Sequence, residues 1–316
     1  MAAKHIIPGI GDPTCGIAVA AKQLMARGIG EDGEVWAHSM WSPMVIKASI
    51  KAVLTGKKLV RMPHGCTDPA KLRFHWHKKR WVAPIERWLF RRADRIIATC
   101  DEEVLWIKAF EPKVKKVEIV RLDSPVERVG GRSTSCTVEL ESGCVNGEES
   151  NERKEGDSLH ILYIGRLHPL KGVEYLLEAM PTDYRLVVIG KDEGEGKKLR
   201  KIAERRGLDV EFKGVVSEAE KEAAYNWCDV LVLPTLSENF GLVVAEALER
   251  GKRVITTDGA PAWGSECKME SVKCKVGDGE VWSGYDGRLL YLKGYRDGTR
   301  EGRIELLKRA MESLVK

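Results

Sequence analysis

Two parallel-sheet α/β domains in succession are what this sequence predicts, and three observations carry that expectation. Short apolar, β-branched runs alternate with helical stretches at the spacing of parallel βα units. A chain of 316 residues is ample for two such domains of ordinary size. Between them, residues 128–157 hold five glycines, four serines and seven acids with few large apolar side chains, so they cannot bury enough surface to fold alone and read as an extended, mobile insertion. The expected division is therefore 1–127, a first domain; 128–157, the insertion; 158–300, a second domain; and 301–316, a terminal helix.

In the first half, His5, Ile6 and Ile7 form the opening strand, followed by a loop from Pro8 to Gly16 and a helix through Met25. The loop glycines lack the G-x-G-x-x-G spacing, and no Lys-Ser/Thr pair follows Gly16, so neither a dinucleotide fingerprint nor a P-loop is present. What remains is a glycine-containing turn feeding a helix start, which can approach a phosphate. Further strands are expected at residues 59–62, 95–99 and 117–121.

Charge is uneven along the chain. The formal net charge is +5, yet residues 1–127 carry 22 Lys/Arg against 14 Asp/Glu. Most of the excess lies between Lys71 and Arg95, where nine basic residues face two acids and are interleaved with Phe74, Trp76, Trp81, Trp88 and Phe90. Aromatics that enter a headgroup layer beside cations that meet phosphates suit an anionic membrane surface, and the same mixture suits a phosphorylated acceptor. Trp81 and Trp88 recur at a heptad, so a solvated helix with inward-packed tryptophans is the competing reading. No recognised nucleic-acid module accompanies the cations.

In the second half, strands are expected at 161–164, 185–189, 210–212, 230–233 and 254–256. After Gly259 the pattern loosens, until a final helix over residues 301–315. Two motifs stand out. In the first, the strand ending at Ile164 leads into Gly165, Arg166, Leu167, His168, Pro169, Leu170, Lys171 and Gly172. Arg166 offers a planar fork and Lys171 a point charge for a diphosphate, and Gly165 allows close backbone approach. In the second, the strand at 230–233 ends at Pro234, which cannot donate to a ladder, and Ser237 is placed to cap a helix. That helix would aim its first-turn N–H groups out of the sheet's carboxyl edge. Glu238 and Glu246, eight residues apart, would then lie roughly 12 Å apart, one at each end of a nucleotide sugar. The plainer reading of each glutamate alone is a dipole partner and a solvated face.

The order of these motifs resembles the family-4 retaining glycosyltransferases, nucleotide-sugar-dependent enzymes with the GT-B architecture of two Rossmann-like domains around a central cleft. The resemblance rests on Gly165-Arg166-Leu167 with Lys171-Gly172, on Phe212-Lys213-Gly214-Val215-Val216, on Pro234 through Glu246, and on Gly251 through Ile255. In the first half it rests on Pro63-His64-Gly65, on Ala93 through Cys100 with Glu103, and on Trp36 through Trp41. Two departures are visible: Cys15 stands where a second glycine is common, and Leu122-Asp123-Ser124-Pro125-Val126 replaces the usual asparagine-containing linker.

The resemblance implies a hexose-type sugar moved from a nucleoside diphosphate to an acceptor held by the first domain, with retention of configuration. Arg166 and Lys171 would hold the diphosphate, Glu238 the sugar hydroxyls and Glu246 the ribose. Backbone around Asn239, Phe240, Gly241 and Leu242 would complete the sugar site. Val215 and Val216 would meet the base, Gly16 would face the diphosphate from across the cleft, and His64 would face the reacting sugar. The acceptor would be a polysaccharide or a lipid-linked or lipopolysaccharide-type glycan. A nucleotide-sugar epimerase or phosphorylase of the same architecture is the second reading, and a non-catalytic nucleotide-sugar-binding scaffold the third.

Composition adds the remaining expectations. Hydrophobic residues make up 43% and charged residues 31%, with no 18-residue apolar run and no secretory leader after Met1, so a cytoplasmic protein, in peripheral contact with the inner membrane face, is expected. The eight cysteines contain no Cys-x-x-Cys pair and read as reduced thiols. No Asp-x-Asp triplet is present, so neither a bridging metal nor any other cofactor is expected.

Overall fold

The computed structural model describes residues 3–8, 16–120, 158–266, 271–276, 279–285 and 287–314. The loop at 9–15, the crossover at 122–126 and the insertion at 128–157 lie outside the described residues.

The first sheet is parallel and runs in chain order: β1 (Lys4–Ile6), β2 (Val35–His38), β3 (Leu59–Met62), β4 (Arg95–Ala98) and β5 (Val117–Ile119). Its strands alternate faces with period two. Trp36, Val60, Met62 and Ile97 pack with Ala20 and Leu24 of α1 (Gly16–Ala26). Val35, Ala37, Leu59, Ile96 and Ala98 pack with α2 (Pro43–Leu54), with Leu89 and Phe90 from the basic segment, and with α5 (Asp101–Phe110). Strand order advances steadily while α1 and α2 take opposite faces, so the first two crossovers have opposite hands and one departs from the right-handed rule.

The basic segment is not one helix. Asp68 caps the short α3 (Pro69–Arg73), His75 at φ 53° breaks the chain direction, and α4 (Trp76–Arg92) follows. Its buried face is Ala83, Glu86, Leu89 and Phe90. The heptad pair separates: Trp81 is 73% exposed, whereas Trp88 is half-buried against the core. Glu86 forms a wholly buried ion pair with Arg61 of β3 and accepts from the Trp41 backbone N–H, which ties α4 to the sheet.

The second sheet has the order β11-β12-β13-β10-β9-β6-β7-β8. β6 (His160–Ile164), β7 (Arg185–Ile189), β8 (Asp209–Gly214), β9 (Val230–Leu233) and β10 (Arg253–Thr257) are parallel. The chain winds outward from β6 through β7 and β8, then returns to the other side of β6 with β9. The topological switch therefore falls between β6 and β9, and the crevice outside their carboxyl ends is where such sheets bind ligands. Both sequence motifs sit at these two strand ends.

The stretch after Gly259, read from sequence as loosened, contains a regular extension. β13 (Leu289–Lys293) pairs parallel with β10, β12 (Gly279–Gly284) pairs antiparallel with β13, and β11 (Ser271–Val276) pairs antiparallel with β12. β12 carries Gly279, Trp282 and Gly284, which hides its alternation, and β13 is an apolar run of only four residues closed by the exposed Lys293. The last helix, α11 (Arg300–Glu312), buries Leu306, Leu307, Ala310 and Met311 on this second domain, against α6 (Val173–Ala179) and the extension.

Candidate active site

The two domains meet across a cleft of about 220 Å³. Lys71, Phe74, Lys79, Trp41 and Cys66 line it from the first domain, and Arg166, His168, Leu170, Lys171 and Ser237 from the second. Phe74 meets the His168 ring at 4.9 Å between centroids, and the Thr99 hydroxyl lies 2.9 Å from the Asn239 side-chain amide.

Lys171 ends a 3-10 turn (Pro169–Lys171), and its neighbour Gly172 stands at φ 67° with the Pro234 carbonyl oxygen 1.9 Å from where a Cβ would lie. Only glycine fits there, and this close approach brings the two strand-end loops together. The buried Lys171 ammonium thereby reaches both the Ser237 carbonyl, at 3.3 Å, and the Glu238 carboxylate. Burial pushes the Glu238 carboxyl up, but the charges of Lys171 and Lys71 and the Asn239 N–H outweigh it and hold the group at about 2. Burial pulls Lys171 down, and Glu238 opposes that shift. The ion pair is thus a preformed charged centre at the switch point.

Ser237 does not cap a helix. Helix α9 (Leu242–Glu249) begins five residues later, after Gly241 at φ 73°. The preceding backbone is bound to neighbouring loops instead: Leu236 donates to Leu170, Glu238 to Gly259, and the Phe240 carbonyl accepts from the Trp263 indole. The Ser237 hydroxyl crosses the cleft to Asp68. Glu238 consequently lies in a loop and Glu246 in the helix, so the rise-per-residue argument for their separation does not hold. Glu246 is held by the Tyr225 hydroxyl at 2.7 Å and by Lys221 at 2.8 Å, both from α8 (Glu218–Trp227). Among the described residues, none accepts from the N–H groups of Phe240, Gly241, Leu242 or Val243.

Arg166 sits at the rim, half exposed, with its guanidinium on both Glu193 oxygens at 2.8 and 3.1 Å. Gly165 has a local reason: a Cβ there would stand 2.7 Å from the Tyr163 hydroxyl, which donates to the Arg166 carbonyl. Val215 is exposed and Val216 half-buried just beyond β8, on the same carboxyl edge. Gly16 is the exposed first residue of α1, with open space around it. The Lys171–Glu238 pair, Arg166 and Asn239 therefore gather at the cleft, while Glu246 is bonded to α8, and Val215 and Gly16 are exposed.

His64 follows β3 at φ 52°, buried, and bonds to His38 at 2.9 Å. Glu103, fully buried, accepts from the Gly65 N–H at 2.5 Å and from the Thr99 N–H and hydroxyl at 2.7 Å. Burial raises its pKa, and these three donors oppose that. Lys71 and Lys79 were not singled out as cleft residues because their whole run reads as one outward-facing basic surface, suited to an anionic membrane or a phosphorylated acceptor. The kink at His75 turns both inward: Lys79 donates to the Lys71 carbonyl and lies 5.7 Å from the Trp41 ring. The Trp41 indole N–H is buried without a partner. Asp68 was also missed. It accepts from Ser237 and from Arg296 of the second domain, and Arg296 in turn lies over Trp106 of α5.

Comparison with known proteins agrees with this architecture. Residues 5–121 match the family described as Glycosyltransferase Family 4, and residues 147–270 match Glycosyl transferases group 1. The phosphatidyl-myo-inositol mannosyltransferase of Mycobacterium tuberculosis (strain ATCC 25618 / H37Rv) is 35% identical over 129 residues, which are 38% of this chain and 31% of the relative. The D-inositol 3-phosphate glycosyltransferase of Corynebacterium glutamicum (strain R) is 29% identical over 150 residues, 42% of this chain and 36% of the relative. The chain thus spans about a third of the length of these curated relatives. Among solved structures, WaaG, a glycosyltransferase involved in lipopolysaccharide biosynthesis, superposes with a TM-score of 0.61 at 13% identity, covering 99% of this chain and 90% of that one. Anabaena Alr3699/HepE, solved with UDP and glucose, gives 0.58 at 16% identity, covering 96% and 75%. Two family matches, one on each domain, and a GT-B fold across the whole chain place this protein in the family-4 glycosyltransferases.

Proposed function

We propose that the protein transfers a hexose-type sugar from a nucleoside diphosphate sugar to an acceptor bound by the first domain, with retention of configuration. The observation that carries this reading is the Lys171–Glu238 pair, its ammonium buried and its carboxylate half-buried, at the switch point of the second sheet. Charge on the departing diphosphate is the main electrostatic problem of such a transfer, and fixed cations in a cleft stabilise it without reorganisation. Lys171 supplies one cation, and Arg166 swings from Glu193 at the rim to supply a second. The free N–H groups around Gly241 serve the sugar or phosphate oxygens, and Glu238, held ionised, accepts from sugar hydroxyls. Glu246 takes the ribose diol by exchanging Lys221 or Tyr225 for it. The acceptor's proton goes to the departing phosphate itself, so no protein nucleophile is assigned and no metal is required.

On the acceptor side, Lys71 and Lys79 bring two further cations into the cleft, and the Trp41 indole N–H adds a donor without a partner among the described residues. An acceptor bearing a phosphate is the chemistry these groups match. The matched relatives are named for phosphate-bearing inositols, which agrees with that choice. A lipid-linked or lipopolysaccharide-type glycan would present such a group at an anionic membrane, against which α4 would rest.

The test is a thermal-shift panel of UDP-, GDP- and ADP-sugars with and without EDTA. A donor at 100 times its Kd raises stability by about 2.7 kcal/mol. One nucleotide class should stabilise the chain equally well in EDTA. Stabilisation by none overturns the donor assignment, and stabilisation that requires magnesium or manganese overturns metal independence.

A further inference from the structure

Three histidines from three consecutive β-segments form a single row beneath α1. His5 Nδ1 lies 3.0 Å from His38 Nε2, and His38 Nδ1 lies 2.9 Å from His64 Nε2. The ring centroids are 5.2 Å apart at both steps with the planes within 25–28° of each other, so the rings meet edge to edge along the row, and the Trp36 ring centroid lies 5.3 Å from that of His5 and 6.1 Å from that of His38. His38 is fully buried, His64 nearly so, and His5 is the half-buried outer end. His64 is also fixed from the other side, because the next residue's N–H is held by Glu103.

A neutral imidazole carries one donor and one acceptor. Two bonds among three neutral rings therefore form only when all the protons point the same way along the row. Burial keeps the rings neutral, pulling His38 down to about 2 and His64 to about 3. The charged neighbours differ at the two ends. Lys71 is the cation felt at His64, and Glu34, itself paired with Arg95, is the carboxylate felt at His5. N–H dipoles in that field point away from Lys71 and toward Glu34. His64 Nε2–H then donates to His38 Nδ1, and His38 Nε2–H donates to His5 Nδ1.

We infer that His38 and His5 are positioning residues that lock His64 in its Nε2–H tautomer, leaving Nδ1 as an acceptor for a substrate hydroxyl in the cleft. The role toward substrate rests on the glycosyltransferase reading, whereas the tautomer does not, so the two can fail separately. Partners that fix a functional imidazole's tautomer and orientation typically cost 10–100-fold when removed, as known for metal-bound histidine.

Long-range 1H–15N spectra of the full chain labelled at its seven histidines read the tautomers directly. His64→Ala assigns the His64 signals. In the wild-type chain at pH 7.5, His64 should be wholly the Nε2–H form and show no protonation down to pH 5. His38→Leu should convert it to a mixture of tautomers, and His38→Gln, whose amide oxygen can still accept from His64, should retain the single form. His5→Leu, at the half-buried end, is the second variant should His38→Leu not fold, and it should loosen the same preference through His38. A His64 that is Nδ1–H, already mixed in the wild type, or unchanged in both leucine variants overturns the proposal. Donor stabilisation by nucleotide sugars, measured on the same samples, reports separately on the glycosyltransferase reading.

Discussion

Lys171 and Arg166 come from one short segment, yet they stand in different media, and their variants should part accordingly. Lys171 is buried against Glu238, so Lys171→Ala leaves an ionised carboxylate unpaired in the cleft and should lower both the melting temperature and turnover. Arg166 is exposed at the rim, so Arg166→Ala should leave the melting temperature nearly unchanged while still lowering turnover. For each, roughly 2–4 kcal/mol of transition-state stabilisation is expected to be lost, and steady-state kinetics beside calorimetry checks the contrast. Wild-type turnover in either variant removes that residue from the diphosphate site. The histidines set a pH dependence. His38 and His64 titrate lower in the folded chain than the ordinary 6.5, so the unfolded chain takes up protons first as the pH falls. Stability is full above about 6.5 and is lost as the pH drops toward 3. Glu238 adds a loss of the same sign below its ordinary 4.5. The melting temperature should therefore begin to fall near pH 6.5, and in His38→Leu the part of the fall between pH 6.5 and 5 should shrink. An onset confined to the carboxylate range would contradict the buried neutral row.

At the scale of elements, α4 divides its cations between two tasks. Lys79 turns into the cleft with Lys71, while Lys78, Arg80 and Trp81 lie on the exposed face, with Arg80 over the Trp81 ring. Each surface Lys or Arg adds about 1 kcal/mol of attraction to an anionic bilayer, and the effect falls within a Debye length. Full-length protein should co-sediment with anionic vesicles at low salt and not with neutral ones. Lys78→Glu/Arg80→Glu, which spares the cleft lysines, should abolish that binding without altering donor stabilisation. Binding that ignores salt and charge reversal would leave α4 as an ordinary packing helix. Among the described residues, no helix is long and apolar enough to cross a membrane.

At the scale of the molecule, closure of the two domains converges on Asp68. This buried carboxylate caps α3, accepts from Ser237, and binds Arg296, whose guanidinium also covers Trp106. Removing one partner of a buried pair costs about 3–5 kcal/mol, and here the cost falls on the closed arrangement, since Asp68 and Arg296 belong to different domains. Arg296→Ala should therefore raise the solution radius of gyration and weaken donor binding with little change in secondary structure. Small-angle scattering with and without the stabilising nucleotide sugar measures it, and an unchanged radius would show that Asp68 is not what holds the cleft shut.

Most parallel strands of both sheets, unlike β11, β12 and β13, were legible because buried parallel strands are short apolar runs, and Leu59–Met62, Arg185–Ile189 and Val230–Leu233 stand where the pattern placed them. The paired motifs around Lys171 and Glu238 were legible for a related reason: each follows a strand end, and strand ends of such sheets face one crevice. Local chemistry misled at Ser237, which has the residue type of a helix cap, because the loop's backbone groups found partners on Leu170 and Gly259 and its hydroxyl found Asp68, far away in sequence. It misled again at Lys71 and Lys79, since a charge run looks solvated until a kink such as His75 turns part of it inward. Local pattern thus determined the α/β class and the two strand-end loops of the cleft by itself. The histidine row, the inward turn of Lys71 and Lys79 and the Asp68 contact were decided only by tertiary structure, because each depends on residues from separate elements or domains whose spacing in the chain carries no trace of their distance in space.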